Sequence, residues 1–319
     1  MKRVAIIGGE THIGEITSLA GERLEIVGAM VRPEQAADAA EQFGCEIFSD
    51  ADRLYAQTDP EIVAIANEND LKADAVMMAL QAGCDVVADK PLCLTLGEQE
   101  RIERFLAEHP ERRLLNLLTL RGRPEWMALR DVIRAGQIGS PAFIHVRMAV
   151  RLKRDQRPAW FLDYRRSGGL FLDLLIHGID QVEWLSEQRV TAVTARTGNI
   201  GFPDEETLRD HASVYCELDG GATAVVEGQR MLPETVGSDY RVTVAATEGV
   251  ADLSMRSGSL VVSSPEGADR EITDMPESVP VVADWLDGGD VIPQDASLRA
   301  NHLAVLASIA AKEQRRITV

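Results

Sequence analysis

Residues 82–92, AGCDVVADKPL, contain the end of one helix and the whole of one buried strand. Gly83 is typical of a helix C-cap, Asp85–Ala88 is a short apolar strand, and Pro91 ends the hydrogen-bond ladder of that strand. In open parallel sheets, ligands bind beyond the carboxyl ends of the strands. Lys90 lies at that end, where an ammonium is costly to bury without a partner, so it is a candidate functional group. A surface lysine at the start of a loop is the alternative from position alone.

The first third of the chain alternates short apolar runs with amphipathic stretches, which predicts parallel strands joined by crossover helices. Strands are predicted at Val4–Ile7, Leu24–Val31, Glu46–Phe48, Ile62–Ala66, Asp85–Ala88 and Leu114–Leu118. Helices are predicted at Ile16–Arg23, Glu34–Phe43, from Asp50 onward, at Leu71–Ala82 and Thr95–Glu108, and a last helix at Leu298–Glu313. After about Leu120 strands follow one another, as in ASVYCEL, a DGG turn and ATAVVE over residues 212–227. We therefore predict an α/β chain: a doubly wound Rossmann domain, 1–119, and an α+β domain, 120–319, with a mostly antiparallel open sheet.

The segment IIGGETHIG, residues 6–14, has the glycines of a dinucleotide-binding loop out of register. Gly8 occupies the first glycine position of G-x-G-x-x-G, but Glu10 and Ile13 occupy the second and third, and Gly14 follows one residue late. Glu10 replaces the glycine that lets a pyrophosphate approach, and its carboxylate would repel a phosphate. The loop alone leaves open whether a nicotinamide cofactor binds.

The stretch GGLFLDLLIHGID, residues 168–180, places Asp173 and His177 four positions apart. On a helix the two share one face, and because their neighbours are apolar they are buried or line a cleft. A histidine so placed suits proton transfer near neutral pH, while a core Asp–His pair is the structural alternative. No third ligand occurs at zinc spacing, so no metal site is predicted.

Together these segments resemble the Gfo/Idh/MocA family of oxidoreductases, named for glucose–fructose oxidoreductase and inositol dehydrogenase. AGCDVVADKPL is similar to the family's AGKHVLCEKPL, and GGLFLDLLIHGIDQVEWL to its GGGALLDIGIHLIDLARWL. DGGATAVVEG and YRVTVAATEGVADL match the sheet domain, so the likeness spans essentially the whole chain. The resemblance implies an NAD(P)-dependent transfer of a hydride between the cofactor and a secondary alcohol or ketone of a sugar, polyol or related small molecule.

The resemblance also implies a role for each matched residue. Lys90 corresponds to the lysine between nicotinamide and substrate, His177 to the proposed general acid/base, and Asp173 to the carboxylate that binds the substrate. Arg121, in LRGRP, corresponds to an arginine that is usually near the ligand. The implied substrate-wall positions are Trp160, Tyr164 and Arg165, and the implied cofactor positions are Gly8, Gly9, Thr11, His12, Ile13, Arg32, Asn67, Asn69 and Lys90.

Three further positions depart from the family pattern. Family members that prefer NAD often carry an acidic residue at the position of Val31. This chain has no acid there, and Arg32 is the next residue, which favours NADP over NAD. The family's TPNxxH appears as NENDLK, residues 67–72, which keeps its asparagine as Asn69. The glycine between the aspartate and the histidine is Leu175, which we expect either to narrow the substrate side or to change what fits there.

Retention of the proton-transfer residues favours a working dehydrogenase over a non-redox ligand-binding or regulatory protein with a degenerate cofactor site. A redox-neutral elimination or isomerisation with a recycled cofactor is a third possibility.

The net charge of −18 disfavours nucleic acid and anionic membranes as partners, and no apolar run approaches the ~18 residues of a membrane span. Four cysteines without a C-x-x-C pair predict buried thiols in a reducing cytoplasm. The open face of the second sheet predicts a homodimer or homotetramer.

Overall fold

The computed structural model describes residues 1–9 and 12–319, except for the side chain of Ala268, and divides into two compact units. Unit 1 comprises Met1–Leu118 and Pro280–Asn301, and unit 2 comprises Thr119–Val279 and His302–Val319. The predicted boundary after residue 119 lies one residue from this division. The segment Pro280–Asn301, which the sequence pattern assigns to the second domain, belongs to unit 1.

Buried polar side chains explain why Pro280–Asn301 belongs to unit 1. The backbone N–H of Asn116 donates to Ser297 Oγ at 3.1 Å, and that of Leu92 donates to Asn301 Oδ1 at 2.8 Å. Ser297 and Asn301 are fully buried. Because a buried amide needs an acceptor, these bonds fix the segment to unit 1, and hydrophobic periodicity carries no sign of them.

Over its described residues, unit 1 contains a five-stranded parallel sheet in the order β2-β1-β3-β4-β5. Its strands are β1 (Lys2–Ile7), β2 (Leu24–Met30), β3 (Ile62–Ile65), β4 (Asp85–Ala88) and β5 (Leu114–Asn116). The helices between them are α1 (Gly14–Thr17), α2 (Ala36–Phe43), α3 (Ala51–Thr58), α4 (Asn69–Gln81) and α5 (Leu96–Glu108). The strand order reverses between β1 and β3, so their carboxyl ends form the topological switch point where such sheets bind ligands. The predicted α/β class is confirmed.

Two predicted elements of unit 1 are shorter than the sequence pattern indicates. The helix expected over Ile16–Arg23 ends at Thr17, because Gly21, with φ +80°, turns the chain back into β2. The strand expected over Glu46–Phe48 is a single bridge between Ala29 and Ile47. In the first segment the backbone groups close local turns, as in the bond from the Ala20 N–H to the Thr17 carbonyl oxygen. In the second, the Glu46 carbonyl oxygen and the Phe48 N–H both bond to Ala29 of β2, which makes the single bridge.

Unit 2, whose backbone is described throughout, contains a nine-stranded sheet in the order β13-β12-β11-β10-β6-β9-β8-β7-β14. Its strands are β6 (Pro141–Ala149), β7 (Val190–Gly198), β8 (His211–Leu218), β9 (Thr223–Gln229), β10 (Asp239–Ala246), β11 (Val250–Ser254), β12 (Ser259–Ser264), β13 (Gly267–Glu271) and β14 (Ile317–Thr318). The helices are α6 (Pro124–Arg134), α7 (Ala159–Leu162), α8 (Tyr164–Ser167) and α9 (Ile176–Ser186). β6 and β9 pair in parallel and the other neighbours are antiparallel, as predicted for a mostly antiparallel open sheet.

Two helices remain, α10 (Val281–Leu286) in unit 1 and α11 (Gln294–Glu313), whose first part belongs to unit 1 and whose second part belongs to unit 2. Helix α11 begins four residues before the predicted Leu298 and ends at the predicted Glu313. Across the described residues, no helix has both the length and the apolar content to cross a bilayer.

Candidate active site

The loop after β1 passes so close to the chain beyond β3 that its first residue must be glycine. Gly8 has φ +83°, and a Cβ there would lie 2.3 Å from the carbonyl oxygen of Ala66. The predicted position Gly9 is less constrained, since its Cβ would meet only Val31 Cγ1 at 4.0 Å. Ile13 is buried at the start of α1. Glu10 and the predicted cofactor residue Thr11 lie outside the described residues.

His12 connects this glycine loop to the end of β4. Its backbone is left-handed, with φ +66°, and its Nδ1 lies 2.8 Å from Asp89 Oδ1. Asp89 is buried and directly precedes Lys90, which is also buried. The contact therefore joins the two segments that the sequence analysis treats as separate motifs, the glycine loop and the DKP segment.

A buried lysine adds a further charge to this cluster. Lys72 occupies the histidine position of TPNxxH, is only 1% exposed, and donates from Nζ to Asn69 Oδ1 at 3.1 Å. Burial alone would raise the pKa of Asp89, but the hydrogen bond with His12 and the positive charges of Lys72 and Lys90 outweigh it and hold that pKa below its usual range. Asp89 is therefore an anion at neutral pH, surrounded by basic groups.

Asn67, which follows β3, presents a hydrogen-bond acceptor. Its Oδ1 is buried and has no hydrogen-bond partner among the described residues. A buried amide oxygen without a donor is costly, and a ligand hydroxyl would satisfy it. The obligatory Gly8 and this acceptor both fit a dinucleotide that lies over the carboxyl ends of β1 and β3.

Arg32, predicted to hold the 2′-phosphate of NADP, lies among acceptors at the end of β2. Its Nε is 3.2 Å from Gln35 Oε1 and 3.8 Å from Glu68 Oε1, and its Nη1 is 3.5 Å from Glu34 Oε1. Glu68 is largely buried, with 13% of its side chain exposed. Two carboxylates therefore already lie beside the guanidinium at this end of the sheet.

In unit 2, Asp173 lies in a π-helical turn, Phe171–Leu175, that leads directly into α9 and His177. Such turns are rare and concentrate at functional sites. His177 is buried and Asp173 is partly buried. The sequence spacing predicts a shared helix face for the pair, and the π turn is the feature that it does not reveal.

Two glycines let this helical segment pack closely on the sheet. A Cβ on Gly178 would lie 2.6 Å from Val226 Cγ1, and a Cβ on Gly228 would lie 2.5 Å from Leu175 Cδ2. Leu175 is fully buried and packs over Gly228. Leu175 therefore contributes to packing above the sheet, and its expected effect on the substrate side stays a prediction.

Arg230 forms an ion pair with Asp173 and was missed by the sequence analysis. It follows β9, and its side chain is 5% exposed, against 14% for Asp173. A buried guanidinium beside a carboxylate holds that carboxylate ionised and oriented. The apolar alternation of β9 ends just before Arg230 and is the sequence signal that could have drawn attention to this residue. That pattern does not indicate that Asp173 is the partner of Arg230.

The remaining predicted residues have diverse surroundings. Arg121 is buried and donates from Nε and Nη2 to the two carboxylate oxygens of Asp180, at 2.9 and 2.7 Å. Trp160 is buried in a small apolar cluster, and Arg165 is exposed and paired with Asp163. Tyr164 lines a cleft together with Asp173 and Arg230. Of these four predicted residues, Tyr164 is the one that lines this cleft. A substrate contact of each of the four stays a prediction.

Two family models match this chain. One, described as "Oxidoreductase family, NAD-binding Rossmann fold", matches residues 2–116, and the other, "GFO/IDH/MocA C-terminal domain", matches residues 126–252. The chain belongs to the GFO/IDH/MocA family of oxidoreductases. The predicted resemblance is thereby confirmed, and with it the assignment of an NAD-binding Rossmann fold to unit 1.

Named members of the family align over most of the chain. The scyllo-inositol 2-dehydrogenase (NAD(+)) of Bacillus subtilis (strain 168) is 29% identical over 264 residues, which cover 81% of this chain and 74% of that enzyme. The inositol 2-dehydrogenase of Rhizobium meliloti (strain 1021) is 29% identical over 269 residues, covering 82% and 77%. The structure of myo-inositol 2-dehydrogenase from Lactobacillus plantarum has the same fold, with a TM-score of 0.81 at 18% identity over 100% of this chain and 99% of that one.

This GFO/IDH/MocA chain shows no grouping of metal ligands in its described residues, where no three histidine, cysteine, aspartate or glutamate side chains are arranged to hold an ion. Two groups of charged side chains in this chain contain residues predicted to act in the reaction, one group in each unit. In unit 1, Asp89 lies with His12, Lys72 and Lys90, and in unit 2, Asp173 pairs with Arg230. In both clusters a carboxylate lies beside basic groups, which is the environment that positions proton-transfer residues.

Proposed function

We propose that this protein oxidises a secondary alcohol of a sugar-like or polyol-like small molecule, with NAD⁺ as hydride acceptor, and catalyses the reverse reduction. The observation that carries the proposal is the π-helical turn, which holds Asp173 beside Arg230 and leads directly to the buried His177. The inositol dehydrogenases among the relatives support a cyclic polyol as a starting substrate. The test is NAD⁺ reduction at 340 nm with myo-inositol, scyllo-inositol and common aldoses, and absence of turnover with any of them at millimolar concentration would contradict the polyol assignment.

The chemistry divides between three side chains. Bound NAD⁺ supplies the hydride acceptor. By the family resemblance, His177 accepts the proton of the reacting hydroxyl, and Lys90 supplies the positive charge that stabilises developing negative charge. Asp173, held by Arg230, binds the substrate and orients it. A non-redox ligand-binding role is not favoured, because the family is one of NAD-binding oxidoreductases.

We propose NAD(H) rather than NADP(H) as the preferred cofactor, which revises the preference that Arg32 alone indicates. The carboxylates of Glu34 and Glu68 lie within 4 Å of the Arg32 guanidinium. A 2′-phosphate would have to compete with both, whereas a ribose hydroxyl could donate to Glu68. The alternative is that Arg32 leaves these acids and binds the phosphate.

Replacing Glu68 with glutamine is expected to narrow the preference of the enzyme for NAD⁺ over NADP⁺ by about tenfold, since one negative charge near the 2′-position is removed. The measurement is the ratio of kcat/KM for the two cofactors. Glu61→Gln, at an exposed residue that pairs with Lys2 in the same unit, is the matched control and should leave the ratio unchanged. Tighter binding of NADP⁺ than NAD⁺ by the wild-type protein would contradict this proposal.

Replacing Gly8 with alanine is expected to weaken NADH binding at least tenfold. The added Cβ would meet the Ala66 carbonyl, and φ +83° strains any other residue, so the loop must move away from the end of β3. Gly97→Ala is the matched control, because a Cβ in that helical position meets nothing within 4 Å. Titration of both variants with NADH, followed by tryptophan fluorescence, compares their affinities. Equal affinity of the two variants would show that the loop does not form the binding site.

We also propose that the protein is a homodimer or homotetramer that associates through the outer face of its nine-stranded sheet, and that it acts in the cytoplasm. The aromatic side chains of Phe143 and Tyr215 are 40% and 42% exposed on strands of that sheet, which supports an apolar contact with a second copy. The four cysteines are free thiols, which supports a reducing compartment. Light scattering of the purified protein tests the oligomeric state.

A further inference from the structure

His12 has a backbone conformation that residues with a side chain rarely adopt. Its φ of +66° lies in the left-handed region, where a Cβ crowds the backbone and where asparagine, aspartate and histidine are the commonest residues after glycine. Gly8, the other left-handed residue among the described positions of this loop, is a glycine and bears no such cost. The cost at His12 is therefore offset by a contact that its side chain makes.

The side chain of His12 contacts a buried carboxylate at the end of another strand. Its Nδ1 lies 2.8 Å from Oδ1 of Asp89, a residue 77 positions further along the chain. The imidazole is 29% exposed and the carboxylate 5%. Strand β3 lies between β1 and β4, so this contact spans the carboxyl end of β3, where Gly8 already passes close to Ala66. The glycine loop is thus fixed at two points, one beyond β3 and one beyond β4.

Asp89 is suited to hold the imidazole because its carboxylate stays charged inside the protein. Burial opposes that charge, but the hydrogen bond with His12 and the positive charges of Lys72 and Lys90 keep the pKa of Asp89 below its usual range. Lys72 is only 1% exposed and lies in the first turn of α4, where the helix dipole disfavours a cation. A buried ammonium there is costly without an anion, so Lys72 and Asp89 stabilise each other. A hydrogen bond to a charged acceptor is also stronger than one between neutral groups.

We propose that His12 is a positioning residue for the nicotinamide cofactor, and that it acts through Asp89 by holding the glycine loop over the carboxyl ends of β3 and β4. The contact gives the loop a shape that its out-of-register glycines do not impose by themselves. Because Asp89 directly precedes Lys90, the same contact ties the cofactor loop to the segment that carries the proposed charge-stabilising lysine. The inference rests on the proposed function, and its alternative is that the imidazole contacts the cofactor directly.

Two substitutions of His12 separate the side chain from the backbone conformation. His12→Gly accepts the left-handed backbone but loses the donor, so we expect the Kd for NADH, measured by calorimetry on the full-length protein, to rise about tenfold. His12→Asn also tolerates that backbone, and its Nδ2 is as many bonds from the main chain as the histidine Nδ1, so its Kd should stay within about threefold of the wild type. His109→Asn, at a unit 1 histidine beside the exposed Glu111, is the matched control. Wild-type affinity of His12→Gly, or equal weakening by asparagine and glycine, would overturn the inference.

A double-mutant cycle tests whether His12 acts through Asp89. The background is the double variant Lys72→Met, Asp89→Leu, because Asp89→Leu alone would leave the Lys72 ammonium buried without its anion. In this background His12→Gly should change the Kd for NADH less than about twofold, since the acceptor of its hydrogen bond is already absent. A tenfold rise in the background as well would show that His12 contacts the cofactor directly, and the inference would be wrong. The two His12 substitutions decide the inference by themselves if the double variant does not fold.

The failures of this inference and of the proposed function are distinguishable. A wild-type protein that binds NADH and oxidises a polyol, with His12 variants of unchanged affinity, would contradict the inference and leave the dehydrogenase function intact. The expected pattern of NADH affinities without turnover of any polyol would support the role of His12 and contradict the polyol assignment. A wild-type protein that binds neither NADH nor NADPH at millimolar concentration would contradict both.

Discussion

Replacing His177 with glutamine is expected to lower kcat by about 10²- to 10⁴-fold, because positioned acid–base groups contribute that much to rate. Glutamine keeps the length and hydrogen-bonding capacity of the side chain but cannot accept the proton of the substrate hydroxyl. The KM for NAD⁺ should change little, since the cofactor residues lie in unit 1. The measurement is steady-state NAD⁺ reduction, combined with a pH profile from which the limb that reports the general base should disappear.

The control for this change is another histidine of unit 2. His145 lies on β6, is half-exposed, and has its Nε2 3.5 Å from Glu227 Oε1. His145→Gln removes an imidazole of the same unit that takes no part in the proposed chemistry, so its kcat should match that of the wild type. A His177→Gln enzyme that keeps its melting temperature and turns over within threefold of wild type would exclude His177 as the general base.

Strand β4 shows where the sequence predicts the fold well. Its predicted and observed bounds are both Asp85–Ala88. The apolar run is bounded by Gly83 and Pro91, which end neighbouring structure by their own backbone chemistry, so no distant contact is needed. By contrast, the helix Pro124–Arg134 and the strand Val190–Gly198 were not predicted, although both contain apolar side chains that pack in unit 2.

The residues of the candidate site also divide into those that the sequence reveals and those that only the folded chain reveals. Lys90, Asp173 and His177 are recognisable because each lies in a motif whose residue order is visible in the sequence. Lys72 and Arg230 are not, since their importance comes from burial and from a carboxylate that is distant in sequence. Hydrophobic periodicity identifies core faces but does not show which charged residue is buried, so the charge partners of a site emerge only from the folded chain.

Arg121 is the predicted site residue whose surroundings differ most from those of a ligand-binding group. It forms a two-bond ion pair with Asp180, and the side chains of the two residues are 7% and 3% exposed. The Trp184 ring lies beside this pair, with its centroid 5.6 Å from the Arg121 guanidinium carbon. The geometry therefore predicts that Arg121 contributes to the stability of unit 2.

Replacing Arg121 with methionine is expected to lower the free energy of unfolding by about 3–5 kcal/mol, because Asp180 would remain as a buried charge without its partner. The double variant Arg121→Met, Asp180→Leu should be more stable than the single variant, since it removes that charge as well. Urea unfolding followed by tryptophan fluorescence gives the midpoints. Arg134→Met, which breaks a pair in which both side chains are 54% exposed, should cost less than about 1 kcal/mol.

The same variants decide between the two roles of Arg121. A structural arginine lowers the unfolding midpoint when it is replaced and leaves KM of the folded enzyme nearly unchanged. A ligand-binding arginine, as the family resemblance implies, raises KM at least tenfold and leaves the midpoint close to that of Arg134→Met. Because the buried Asp180 carboxylate would lose both hydrogen bonds that Arg121 donates, we expect the first outcome. A raised KM with normal stability would show that the pair opens to receive the substrate.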